Sequence, residues 1–232
     1  CTSEKKAELI SQKYKEVKGT NSLQDILLDD TVSGVFVAAD PHSHFQITAE
    51  VIKAGKSLFI EKPPCEDERE LKALTDTVRL YGPQHIVVGL QRRFAPATQI
   101  LKKRLKDDGK RHYHYRYLTG LYPEGDALLD LFIHPLDYAT FLFGEAKIKG
   151  LDVTLSRDGG QTLFLVLEHQ EITGMLELST DYSWQDAQEQ LSISTDKGLY
   201  VLEKMEQLDF TPRRSTVLGI PLEKVFPNHA AT

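Results

Sequence analysis

The chain has 232 residues, of which 41% are hydrophobic and 27% charged, and its formal net charge is -6. That length allows one or two domains with a sizeable core, and the acidic balance argues against nucleic acid or an anionic membrane as a partner. No apolar run approaches the roughly 18 residues a membrane-spanning helix needs. Two cysteines, Cys1 and Cys65, make no disulfide framework and no cysteine-based zinc site, which fits a reducing compartment, the cytoplasm.

The chain starts at Cys1 and enters a helical pattern at once, as a chain that begins partway into a domain would. The spacing predicts an amphipathic helix over 3–15, capped by Thr2 or Ser3, and a short one over 22–29. Residues 33–40, SGVFVAAD, are a continuous apolar run that reads as a buried parallel strand. A helix follows over 43–55, with Ser43 as cap and Gly55 as stop. Residues 56–64, KSLFIEKPP, read as a second strand ending in charge and proline. A helix over 66–82 has acids in its first turn, and 85–91 reads as a third strand. Strands alternating with helices mean βαβ units and a parallel sheet, here over residues 1–92.

The texture then changes. A helix is predicted over 95–108, a strand over 111–120 and a long apolar helix over 130–144. Strands follow over 146–156, 161–170, 172–180, 189–196 and 198–204, joined by short turns such as Asp158-Gly159-Gly160. This pattern is an open, mainly antiparallel sheet in an α+β domain over 93–210. Residues 211–232 look irregular. The apolar Val153, Leu163, Leu165, Leu167, Leu176 and Leu178 call for helices on one face of that sheet. The other face is expected to make a homo-oligomer, a dimer or tetramer.

Three places could carry chemistry. Glu61 and Lys62 sit where a strand ends, the usual functional edge of an open α/β sheet; a charged pair in a surface loop is the alternative. Pro63 and Pro64 fix the backbone there, and Lys62-Pro63 is a candidate cis bond. The stretch 41–44, PHSH, opens a helix whose free amides suit a phosphate. In the apolar helix, Asp130, His134 and Asp137 recur at spacings of four and three. A carboxylate one turn from an imidazole can orient it for general acid–base work. A satisfied core histidine, a capping or ion-paired Asp137, and a metal site made by all three are the competing readings. Pro135 beside His134 has no evident structural reason.

Together these motifs resemble the Gfo/Idh/MocA oxidoreductases, named for glucose–fructose oxidoreductase, inositol dehydrogenase and rhizopine catabolism. The strand–helix–strand stretch ending in Glu61, Lys62 and Pro63 resembles that family's Glu-Lys-Pro strand end. GLQRRFAP over 89–96 resembles its next strand end, and LLDLFIHPLDYATFLFG over 128–144 its Asp-x-x-x-His helix. The resemblance implies a dehydrogenase or reductase that uses NAD or NADP on a sugar, cyclitol or related small molecule. It implies catalytic roles for Lys62, Asp130 and His134, and cofactor contacts from Pro41, His44, Glu61, Lys62 and Gln91. No resident metal is implied. Arg92 and Arg93 are weaker candidates for shaping the cleft.

The sequence departs from that family in places. It has no G-x-G-x-x-G turn, the element that holds a pyrophosphate. Ala39-Asp40 stands where the family commonly has Thr-Pro, and Gln91 where it has Asn. On that reading these 232 residues alone bind a dinucleotide poorly. A non-catalytic ligand sensor or scaffold on the same fold is the alternative function, and a metal hydrolase using Asp130, His134 and Asp137 a weaker one.

Overall fold

Gly34–Val37, Ser57–Ile60 and Ile86–Val88 form strands β1 to β3, paired in parallel in that order. Their register sets Val37 beside Ile60 and Phe36 beside Phe59, so the two faces of the sheet carry different sets of side chains. Helix α3 (Pro41–Lys53) links β1 to β2, and α4 (Glu68–Tyr81) links β2 to β3. Val51 and Ile52 of α3 and Leu74 of α4 bury Val37, Leu58 and Ile60 on one face. On the other face Phe36 is exposed and stacks on Phe59, ring centroids 5.1 Å apart. The expectation of a strand buried on both sides therefore fails for β1: among the described residues only one face is covered.

Helices α1 (Glu4–Lys13) and α2 (Leu23–Leu27) precede β1, capped by the Ser3 and Ser22 side chains. Ser43 does not cap α3. Asp40 does, its carboxylate accepting from the His42 amide at 3.0 Å, with Pro41 in the first turn. Helix α4 ends at Gly82, whose φ of 53° is the left-handed stop that glycine adopts most easily.

This is a computed structural model, and it describes residues 3–82, 85–213, 216–217 and 220–221. It divides into two units, Cys1–Leu90 and Gln91–Thr232. The second opens with a 3-10 turn, Gln91–Phe94, and helix α5 (Pro96–Leu105). Strand β4 (Lys110–Leu118) comes next, then a π-helical turn (Leu128–Phe132) continuing into α6 (Ile133–Phe143). Six strands follow: β5 (Ala146–Leu155), β6 (Gln161–His169), β7 (Thr173–Ser179), β8 (Gln188–Thr195), β9 (Gly198–Glu203) and β10 (Gln207–Pro212). Their sheet order is β10-β9-β8-β4-β7-β6-β5.

Every neighbouring pair in that sheet is antiparallel except β4 with β7. The fold is thus an α/β chain, a parallel Rossmann-like sheet followed by an open, mainly antiparallel one. Strand β10 is an addition to the sequence reading. Lys204 and Met205 take positive φ values of 49° and 60° and turn the chain back on β9, which pairs Phe210 with Tyr200. Within the stretch read as irregular, β11 (Thr216–Val217) pairs with β12 (Ile220–Pro221); 214–215, 218–219 and 222–232 lie outside the described residues.

Alternation along β4 sends Tyr113, Tyr115 and Tyr117 to the core and His112, His114 and Arg116 to the other face. Helix α6 and its preceding turn lie on that tyrosine row. Phe132 meets Tyr117 edge-on at 6.5 Å, Tyr138 meets Tyr115 at 6.0 Å, and Phe143 stacks on Tyr113 at 4.5 Å. Leu165, Leu167, Leu176 and Leu178 are buried beneath the helical layer, as the apolar pattern requires, and Leu163 is partly so. Val153, on the edge strand, is exposed. Gly174 lets Tyr113 lie flat on β7, since a Cβ there would come within 2.0 Å of the ring. Gly174→Ala should therefore lower stability by about 2 kcal/mol or more, the typical cost of overpacking a core. Urea denaturation measures this, and a loss under about 0.5 kcal/mol would show that the aromatic row is not tightly seated.

Candidate functional site

The carboxyl ends of β1, β2 and β3 gather the first unit's candidate residues. The Glu61 amide donates to Val37 O at 2.9 Å, and the Gly89 amide to Ile60 O at 2.7 Å, so the ladder runs one step beyond the strands. The Glu61 carboxylate lies against Gly89, where a Cβ would sit 3.1 Å from its oxygens. Lys62-Pro63 is a cis bond. His44 is 1% exposed on α3. Its ring nitrogens lie 2.7 Å from Pro63 O and 3.0 Å from Ala39 O, tying the loop after β1 to the turn after β2. His44 thus acts on the strand ends as a brace. At the exposed entry to α3, His42 contacts Glu66 at 2.6 Å, and this hydrogen bond raises the imidazole pKa.

The second unit's residues are placed by the one parallel pair. Because β4 and β7 run the same way, the loops after both emerge at the same end. The Thr119 amide donates to Ser179 O at 2.8 Å, and the Tyr182 amide to Thr119 O at 2.9 Å. The first of these loops leads into the helical layer, where the Asp126 carboxylate caps the Leu128 amide at 2.8 Å. Asp130 and His134 then follow at the end of the helix nearest Tyr117, since Phe132 between them packs there.

The junction between them is not a plain α-helix. The Ile133 amide donates to Leu128 O, five residues back, so the turn is wide and the register of Asp130 against His134 shifts from simple one-turn stacking. Pro135 now has its reason. It is the third residue of α6, directly after the π turn, where the backbone ladder is already irregular and a missing N–H costs less than in a regular helix. His134 is 8% exposed. Tyr122 donates its hydroxyl to Asp130 Oδ2 at 3.3 Å; burial and then the Asp130 carboxylate raise the phenol's pKa, which keeps it a donor. Lys62, Asp130 and His134 each have an interaction partner.

Asp137 is committed elsewhere. Arg93 Nε donates to its two carboxylate oxygens at 2.9 and 3.1 Å, Arg93 Nη2 bonds it as well, and the guanidinium lies 5.3 Å from the Phe141 ring centroid. The metal reading of Asp130, His134 and Asp137 therefore fails, and no group of three His, Cys, Asp or Glu residues among the described residues is arranged to hold an ion. Arg92 is also paired. It makes a two-pronged contact with Glu189, at 2.6 and 3.0 Å, and Tyr115 donates to the same carboxylate at 2.7 Å. Burial pulls the Arg92 pKa down, but the carboxylate outweighs it and the net direction is up. Burial raises the Tyr115 phenol well above its ordinary value, and Glu189 adds to it. Glu189 and Tyr122 had no distinguishing mark in the sequence: one stands in an alternating strand, the other in a Pro/Gly loop.

Glu189 closes the 3-10 turn onto the sheet, so its loss strands a buried guanidinium. Glu189→Ala should cost about 3 kcal/mol in urea denaturation, as removing one partner of a buried pair does. A loss below about 1 kcal/mol would mean the turn is held by other contacts.

Residues 2–89 match the family pattern described as "Oxidoreductase family, NAD-binding Rossmann fold", that of Gfo/Idh/MocA. Among curated proteins, YceM of Salmonella typhimurium is 26% identical over 184 residues, 78% of this chain and 59% of that one. The inositol 2-dehydrogenase/D-chiro-inositol 3-dehydrogenase of Lactiplantibacillus plantarum is 28% identical over 130 residues, 52% of this chain and 37% of that one. The chain thus spans about half the length of the curated relatives it matches. A dehydrogenase structure from Chromobacterium violaceum shares the fold over 95% of this chain and 68% of that one, with a TM-score of 0.77 and 17% identity. Levoglucosan dehydrogenase in complex with NADH and levoglucosan does so over 94% and 67%, with a TM-score of 0.78 and 18% identity. Over residues 2–89 the chain is thus similar to the Gfo/Idh/MocA oxidoreductases.

Proposed function

We propose that the chain works as an NAD- or NADP-dependent oxidoreductase that moves a hydride between the nicotinamide and a hydroxyl- or carbonyl-bearing carbon of a sugar, cyclitol or related small molecule. The observation that carries this reading is the Asp130–His134 pair at the start of a packed helical layer, in a chain whose residues 2–89 follow an NAD-binding pattern. The names of the relatives, inositol and levoglucosan dehydrogenases, support the substrate class.

The first unit supplies part of a dinucleotide site, without the Gly-rich turn that holds a pyrophosphate. Open parallel sheets bind ligands beyond the carboxyl ends of their strands. Pro41, Glu61 and Lys62 lie at those ends, and Gly89 leaves room for the Glu61 carboxylate. Glu61 would accept hydrogen bonds from cofactor hydroxyl or amide groups, Pro41 and Gln91 would border it, and His44 would hold the two loops that do so. When bound, the nicotinamide supplies the hydride acceptor or donor. His134 takes the hydroxyl proton during oxidation and returns it during reduction. Lys62 would hold positive charge at the strand end beside the cofactor, and Asp130 holds the imidazole in its working orientation. Free, buried Cys65 suits a reducing cytoplasm.

The open face of the second sheet, with Phe164, Val166, Met175 and Leu199 exposed, supports a homo-oligomer, a dimer or tetramer. Light scattering should give a multiple of the single-chain mass; the mass of one chain would remove that assembly. To test the chemistry, the protein is assayed for NAD- or NADP-linked oxidation of a panel of cyclitols and hexoses. His134→Ala should lower kcat about 10²- to 10⁴-fold, the usual contribution of a positioned acid–base group, while nicotinamide fluorescence shows NADH still bound. Unchanged turnover in that variant would overturn the assignment.

A further inference from the structure

Trp184 lies in the loop after β7 and is 50% exposed. It is the single tryptophan of the chain. An exposed indole is normally mobile, but this one is fixed. Its Nε1–H donates to Leu121 O at 2.8 Å, which anchors the ring to the loop after β4. It also lies close over Gly120, where a Cβ would come within 2.4 Å of the indole Cδ1. Tyr122 meets the indole edge-on, ring centroids 6.4 Å apart, and is the residue whose hydroxyl reaches Asp130. Leu121 beside it is exposed as well.

So a large apolar ring, oriented by its polar end and held open to solvent, is linked through one side chain to the acid of the proposed catalytic pair. The contacts that fix the ring leave half its surface open, beside the exposed Leu121. What suits such a face is a saturated ring carrying hydroxyls around its rim. Its C–H faces are apolar and slightly positive against the negative π face of the indole, and its hydroxyls can reach polar groups beside it. An open-chain polyol has no such flat C–H face and would lose more conformational freedom on stacking.

Deepening the function proposed above, on which this rests, we infer that Trp184, braced by Leu121 and Tyr122, is the stacking platform for the ring of a cyclic polyol and selects cyclic over open-chain substrates. Emission from Trp184 reports occupancy directly, without cofactor or turnover. Titration with myo-inositol should give a saturable change in that emission with a midpoint on the order of millimolar, typical of so small a ligand. Sorbitol, with as many hydroxyls but no ring, should give none in that range.

Calorimetry with myo-inositol covers the variants: Trp184→Phe, which keeps an aromatic face, should bind within about tenfold of the parent, and Trp184→Ala should show no measurable heat. An unresponsive indole, or an equal response to sorbitol, overturns the platform. So does full binding by a folded Trp184→Ala. NADH titration of the same protein separates the two proposals. Bound NADH with a silent Trp184 removes the platform and leaves the oxidoreductase, whereas a responsive Trp184 with no NADH binding does the reverse.

Discussion

The second unit depends on one seam: three tyrosines of β4 against three aromatic rings of the helical layer. Tyr113, Tyr115 and Tyr117 recur with the period of a strand, while Phe132, Tyr138 and Phe143 sit on one side of the helix. The seam sets the helix along the strand and places its first turn at the carboxyl end of β4. Asp130 and His134 stand at that turn, and the packing of the seam sets their place. The same seam buries hydroxyls, and three of them are answered by side chains: Tyr115 by Glu189, Tyr138 by Thr98 at 2.9 Å, Tyr113 by His169 at 2.8 Å. Burial pushes the Tyr138 phenol up to about 12, so it stays a neutral donor.

A second constraint is topological. One parallel pair inside a mainly antiparallel sheet brings two loops to one end, and both carry residues that bear on Asp130. One supplies Tyr122 and the other Trp184. Had β7 run the other way, the indole would stand at the opposite edge. The parallel sheet of the first unit uses the same geometry twice over, with His44 bracing two of its strand ends through backbone oxygens.

Much of this was legible in the sequence. Alternating apolar runs and helical stretches gave the strands and helices of both units, because periodicity follows from which face is buried. Glu61, Lys62, Asp130 and His134 stood out as charge where the pattern called for apolar residues. An ion-paired Asp137 was among the sequence readings and holds, but its partner was not legible, since Arg93 lies 44 residues away. Nor was the role of Pro135, because a π turn leaves no mark in composition. Tyr122, Gly125 and Trp184 look like ordinary loop residues. Only the fold shows that a Cβ on Gly125 would lie 2.6 Å from Asp130 Oδ2, or that Trp184 is anchored to a loop about sixty residues earlier in the chain.

The central claim is that Asp130 and His134 form a working acid–base pair in a nicotinamide-dependent enzyme. The most direct measurement is to follow the His134 ring by NMR as NADH and then myo-inositol are added to the protein. The account predicts that the His134 resonances shift with the second addition, that the shift saturates, and that Asp130→Asn abolishes or alters it. Resonances that ignore both ligands at saturating concentrations would contradict the account.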